Sequence, residues 1–224
     1  MKSKLLLIAL SLLLFAGCKK HKSEVTDPDH IQQEIWHIYD ADNNDTYFGI
    51  RFYDTDWYTR VILSPPSYIT LNGIAMNFNE VNSTYESKYL NEQVQSGTFL
   101  YSDTWERKYT NNTTVEPAVE LPEADTLYKS KDNVISWSGA PCAGSDETIT
   151  VHVGIALPLA SASTNQAGAT SVTIKGSDLA LWTSDLPIRM YINRTTSSAL
   201  QMGTMAGGKI HTRYDSKVRW VHIK

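Results

Sequence analysis

The sequence predicts an all-β protein: two tandem β-sandwich domains behind an export signal. Three observations carry that expectation. Nearly every periodic segment after Asp29 alternates apolar and polar residues with period two, the spacing of a strand with one face inward. Turn-forming pairs (Pro65-Pro66, Asn72-Gly73, Asn111-Asn112, Asp215-Ser216) punctuate those segments at short intervals. Few stretches have helical spacing, and many short strands with regular turns read as sandwich architecture.

The chain opens with Lys2 and Lys4, the apolar run Leu5–Phe15 broken by Ser11, and the small residues Ala16 and Gly17. A spanning helix needs about 20 apolar residues, so this run suits the apolar core of a secretory signal instead. "LFAGC", Leu14 to Cys18, resembles the bacterial lipobox. In that family the cysteine sulfur receives a diacylglycerol, the chain is cut before it, and the new amino group is acylated. The resemblance implies that residues 1–17 are removed and that Cys18 carries a diacylglycerol and an acyl chain. Each buried methylene contributes about 0.8 kcal/mol, so several chains make a stable membrane anchor. Lys19, Lys20, His21 and Lys22 would lie at the headgroups, where anionic lipid favours basic residues. Ser23–Asp29 is polar, contains Pro28 and reads as a leash, giving a flexible tether over 18–29.

Lys19 is not the aspartate that signals inner-membrane retention in enteric-type lipoproteins. The basic stub also lacks the acidic cluster that resembles a surface-export signal of Bacteroidetes lipoproteins. The expected location is the outer membrane, facing the periplasm, with surface exposure left open.

The first domain is expected over 30–120. In "TYFGIRFYD", Phe48, Ile50 and Phe52 share the inward face, and Tyr47, Arg51 and Tyr53 the outward one. "TRVILS" follows and "SPPS" stops it, because proline cannot donate to a ladder. Asn72-Gly73 between two alternating runs is a type I′ hairpin signal. Further strands are expected at "STYESKYL", "GTFLYSD" and "WERKYT", with a turn at Asn111-Asn112. "VEPAVELPEAD", Val115 to Asp125, reads as a connector.

The second domain is expected over 121–224. "NVISWSG" leads to the turn "GAPCAGSDE". "TITVHVGIAL" places Ile149, Val151, Val153, Ile155 and Leu157 on one side. "LASASTNQAGA" reads as a small-residue loop, and "TSVTIK" and "PIRMYINR" as strands, with Ile188, Met190 and Ile192 inward. "GSDLALW" reads as a helical turn capped by Ser177 or Asp178. "GKIHTRYDSKVRWVHIK" reads as a hairpin about Asp215-Ser216.

"GATSVTIKGSDLALWTSDLPIRMYINR", with "VISWSG" before it and the closing segment after it, resembles a recurring part of immunoglobulin-like domains in bacterial lipoproteins of Bacteroidetes type. "RVILSPPSYITLNGIAMNF" resembles such domains in the first half. The resemblance implies a β-sandwich module and brings no catalytic residues with it.

Composition narrows function. Formal charge is −4, and losing Lys2 and Lys4 makes the mature chain more acidic. With no basic tract beyond the stub, a nucleic-acid partner is not expected. Lipidation of Cys18 leaves Cys142 without a disulfide partner in the chain, either as a packing residue or as a thiolate needing a base. His21, His30, His37, His152, His211 and His222 form no metal-ligand spacing. No nucleophile elbow or phosphate loop appears. The Asn-x-Ser/Thr triplets carry little weight in a bacterial lipoprotein, whereas Asp125-Thr126-Leu127 resembles a Bacteroidetes O-glycosylation site.

Two candidate sites stand out. Asp40, Asp42 and Asn44 alternate like the oxygens of a calcium loop, although Asp45 and Arg51 break the EF-hand pattern; a solvated turn explains the same residues. Tyr53, Trp57 and Tyr58 beside Asp54 and Asp56 could stack on and bond to a sugar, with core packing as the alternative. The expected function is therefore a non-enzymatic, lipid-anchored envelope protein that binds a glycan or a protein partner. The alternatives are an adhesion or assembly subunit that pairs through edge strands, and a hydrolase with a loop-assembled site.

Overall fold

The computed structural model describes residues 20–56, 58–123, 126–154 and 158–224. Strand makes up 54% of it and no described helix reaches seven residues, so sheet packing carries the fold. The first half supplies β1 (Lys20–Lys22), β2 (Gln32–Asp40), β3 (Asp45–Tyr53), β4 (Arg60–Ile62), β5 (Tyr68–Leu71) and β6 (Ile74–Ala75). It continues with β7 (Asn77–Asn79), β8 (Thr84–Tyr89), β9 (Ser96–Ser102), β10 (Lys108–Thr114) and β11 (Val119–Glu120). The second half supplies β12 (Thr126–Leu127), β13 (Asn133–Ser136), β14 (Ser138–Gly139), β15 (Glu147–Gly154) and β16 (Pro158–Thr164). Last come β17 (Ser171–Ile174), β18 (Ile188–Ala199), β19 (Gly208–Asp215) and β20 (Arg219–Ile223).

One long sheet runs β1-β4-β3-β2-β19-β18-β15-β16, with β8 beside β3 and β7 beside β8, and with β20 beside β18 and β12 beside β20. Smaller sheets, β10-β9-β5-β6, β11-β14 and β13-β17, complete the layers. Two hydrophobic clusters fill the space between. Phe48, Ile50 and Phe52 pack with Ile35, Leu71, Phe99 and Tyr101 in one; Ile149, Val151, Val153, Ile188, Met190 and Ile192 build the other.

The join between the halves departs from the tandem reading. β19 pairs in parallel with β2 from Gly208↔Gln33 to Asp215↔Asp40, so the sheet crosses the expected boundary without a break. Tyr39 and Ala41 belong to the second-half core and Ile210 to the first-half core. "VEPAVELPEAD" is no free connector either, because Val119 and Leu121 are buried and β11 pairs with β14.

Other local readings need correction. β19 and β20 do not pair with each other; both lie along β18, at Asn193–Ala199 and Ile188–Met190. "LASAST" is strand β16, since its small residues let it lie against β15. Asn111-Asn112 lies inside β10, and the turn comes earlier, where Asp103 accepts from the amides of Trp105 and Arg107. The helical turn is a 3-10 segment, Gly176–Leu179, that starts after Lys175 without a side-chain cap.

The tether is the largest departure. Its Lys20–Lys22 is strand β1 against β4, and Ser23, Thr26 and Pro28 are buried. The Ser23 hydroxyl accepts from the Ser64 amide at 2.8 Å, which ties the segment to the body. Asn72-Gly73 does make the β5–β6 hairpin turn, with φ of 51° and 80°. Cys18, Trp57, Asp125, Ile155 and Leu157 lie outside the described residues.

Candidate functional site

Alternation sends one set of side chains to the outer face of the long sheet, and register gathers them. Asn193 of β18 lies opposite Asp215 of β19, Asp215 opposite Asp40 of β2, and Asp40 opposite Asp45 of β3. Tyr47 of β3 lies opposite Lys88 of β8. Between these strands opens a concavity of about 410 Å³, lined chiefly by Asp40, Tyr47, Glu86, Lys88, Arg213 and Asp215. A smaller hollow of about 170 Å³ continues past Asp40 and Asp215 to Arg189 and Tyr191.

Its aromatic member is positioned by a missing side chain. A Cβ on Gly49 would lie 2.6 Å from the Tyr47 hydroxyl, so glycine lets the ring lie along the strand. Tyr47 donates to Glu86 at 3.4 Å, and Glu86 also accepts from Asn79 at 2.8 Å. Burial, reinforced by the Glu86 charge, pushes the Tyr47 phenol up to about 12, so it stays a donor at ordinary pH.

Charge in the concavity is mixed. Lys88 reaches Asp45 at 3.0 Å, and Arg213 reaches Asp215 through Nη2 at 2.9 Å and Nε at 3.1 Å. Burial raises the Asp215 pKa and Asp40 adds to this, while Arg213 opposes it. Both contacts use Asp215 Oδ2; Oδ1 is buried and accepts no hydrogen bond among the described residues. A neighbouring ledge is built by His152 stacked on Tyr191 at 4.8 Å, with Asn193 donating to His152 at 3.1 Å.

The other end of the same face is closed by its own contacts. Arg51 lies 4.8 Å over the Trp36 ring and donates to Thr84 at 2.7 Å. Burial works to raise the Glu34 pKa, but bonds from His211 and Tyr53 outweigh it and hold the carboxyl below its usual range. The cluster is polar and aromatic but already paired.

The candidate calcium oxygens are spread over different partners. Asp40 accepts from the Asp42 amide at 2.9 Å and the Asn43 side chain at 2.7 Å. Asp42 accepts from the Val218 amide at 3.1 Å, and Asn44 from the Tyr39 hydroxyl at 2.8 Å. Among the described residues, no group of three or more His, Cys, Asp or Glu side chains could hold a metal.

The expected aromatic surface does not assemble around Tyr53. That ring faces outward by alternation yet is only 6% exposed, because Arg60 covers it at 4.0 Å and Glu34 takes its hydroxyl at 2.6 Å. Asp54 and Asp56 cap their own turn; Asp56 accepts from the amides of Tyr58 and Thr59 at 2.9 and 2.7 Å. Tyr58 stands 82% exposed.

Sequence reasoning missed Tyr47, Glu86, Lys88, Arg213 and Asp215 as one group. Period-two spacing marks each as outward-facing, but no local signal says that β19 lies beside β2. Cys142 is 2% exposed, with its sulfur 3.9 Å from the carbonyls of Glu147 and Thr164, the surroundings of a packing residue. No described helix is long and apolar enough to cross a membrane. Comparison with known protein families finds no matching family model, and comparison with curated proteins finds no match.

Proposed function

We propose that this chain is a lipid-anchored, non-enzymatic envelope protein that recognises a glycan in the concavity of its long sheet. In this reading it is a lipoprotein of Bacteroidetes type held in the outer membrane by acylated Cys18. Its two cores belong to two immunoglobulin-like units, 30–120 and 121–224, that share one sheet. Sandwich folds host many functions, so the argument rests on the site.

The observation that carries it is the 410 Å³ concavity, in which a glycine-seated tyrosine lies among strand-borne charged pairs. Its volume is within the few hundred Å³ of small-ligand sites. A sugar ring has an apolar face that stacks on an aromatic and hydroxyls that both donate and accept. Tyr47 supplies the ring, Arg213 and Lys88 supply donors, and the carboxylates of Asp40 and Glu86 supply acceptors. Strand-borne groups are held in place, which lowers the ordering cost of binding.

The test is calorimetric titration of the mature chain with oligosaccharides selected on a glycan array. Tyr47→Ala and Arg213→Ala are each expected to weaken binding about tenfold or more, while Tyr58→Ala leaves it unchanged. Absence of any binding sugar, or binding that ignores Tyr47, overturns the proposal. Cleavage of the sugar that Asp215→Asn abolishes would move the site to the hydrolase class, since the concavity gathers several carboxylates.

A further inference from the structure

The structure fixes how closely the body follows its anchor. Lys20 is already in β1, so at most two residue lengths, about 7 Å, separate it from Cys18. β1 runs parallel to β4 with Lys20 opposite Arg60. In a parallel pair, the residues preceding both strands emerge at the same end, so Tyr58 flanks the path toward Cys18. On another side, Lys20 donates to the Glu80 carbonyl at 3.3 Å, which puts the turn carrying Val81 beside it.

Tyr58 and Val81 are 82% and 97% exposed. A tyrosine and a valine this bare on turn tips, with Lys20 and Lys22 exposed between them, match the chemistry of a lipid interface: an aromatic at headgroup level, an aliphatic below it and ammoniums at the phosphates. The acidic neighbours are largely engaged: Asp54 lies 3.8 Å from His21, and Asp56 is bonded by Thr59 and Tyr58. Glu24, exposed, lies 3.6 Å from Lys22, and Glu80 adds a further exposed charge. Met205, 86% exposed, stands at the same sheet end, because Gly208 pairs with Gln33 where β2 begins.

We propose that this end of the long sheet is a foot that rests on the bilayer, with Tyr58 and Val81 inserted at the interface beside the anchor. The proposal rests on acylation of Cys18. It also orients the ligand site. β3 begins at Asp45 beside the concavity and ends at Tyr53 beside Arg60, so the site stands about 27 Å, the length of a nine-residue strand, from the foot. The concavity therefore lies toward the end of the sheet away from the membrane that holds the protein.

The test places photoreactive benzoylphenylalanine at Tyr58 or Val81, and at Leu181 or Leu186 as controls. Those leucines are also exposed but precede β18, whose Asn193 lies opposite Asp215, and so belong to the concavity end. Mass spectrometry of the mature chain purified from membranes reports acylation at Cys18. In parallel, unacylated chain is coupled through Cys18 to a maleimide lipid in phosphatidylglycerol–phosphatidylcholine vesicles; Cys142 is 2% exposed and does not compete. In both preparations, positions 58 and 81 should give at least roughly tenfold more lipid adduct than 181 and 186. Equal yields at the two ends, or none at 58 and 81, overturn the foot. An unmodified Cys18 overturns native anchoring, a result that the adduct pattern of the coupled chain leaves separate.

Discussion

His37 shows how one buried residue can set a pH dependence. It is fully buried, stacks on Phe48 at 4.2 Å, and donates to the Val94 carbonyl at 3.0 Å. Burial, only partly opposed by that bond, depresses its pKa from 6.5 to about 4. The unfolded chain therefore takes up the proton first. The stabilisation is complete above about pH 6.5 and is lost as pH falls toward 4, about 3 kcal/mol over the window. Urea unfolding across that range should show the slope, and His37→Phe should flatten it. Arg194 offers a second residue-scale test. It is 1% exposed, 3.2 Å from Glu147, and donates to the Ala140 carbonyl, so it holds the "GAPCAG" turn against β18. Arg194→Met strands the Glu147 charge, and thermal unfolding is expected to show a loss of about 3–5 kcal/mol.

At the scale of elements, Gly73 and Gly208 differ in kind. Gly73 sits in the β5–β6 turn with open space around it, so Gly73→Ala costs only backbone strain, about 1 kcal/mol in a melt. Gly208 opens β19 against β2, where an added Cβ would lie 1.9 Å from the Gln33 carbonyl oxygen. That contact is backbone, so Gly208→Ala should loosen the parallel seam, cost on the order of 3 kcal/mol, and speed amide exchange in both strands. Alternation made the interiors of β3, β15 and β18 legible, and Asn72-Gly73 marked its hairpin. What misled was punctuation. Asp215-Ser216 looks like a hairpin turn, but it carries the chain from one stretch of β18 to another. β16 does alternate, with Ala160 and Ala162 against the core and Ser161 and Ser163 exposed, but residues this small carry too little apolar contrast to mark the pattern.

For the whole molecule, the shared sheet predicts cooperative behaviour. Calorimetry should show one transition for both halves, and a fragment ending at residue 120 should fail to melt cooperatively, because β2 would lose its neighbour on one side. Period-two alternation marked inward residues in both halves, such as Phe48, Ile50 and Phe52 in one and Ile149, Val151 and Val153 in the other. The seam between them was not, since parallel pairing over such a sequence separation leaves no local mark. The candidate site suffers the same blindness: each lining residue is ordinary on its own strand, and only the seam brings Asp215 and Arg213 to Tyr47.

The seam also bears on when this protein can fold. Gln33 leaves the ribosome well before Gly208 and its successors, whose strand completes its own. Loop closure over that span is slow and entropically costly, and β topologies with distant partners fold late. The first half thus spends synthesis without its closing strand. On the export route proposed above that delay is useful: the chain is still threadable when it meets the translocation channel, and the seam closes only after Gly208 and its successors have reached the far side.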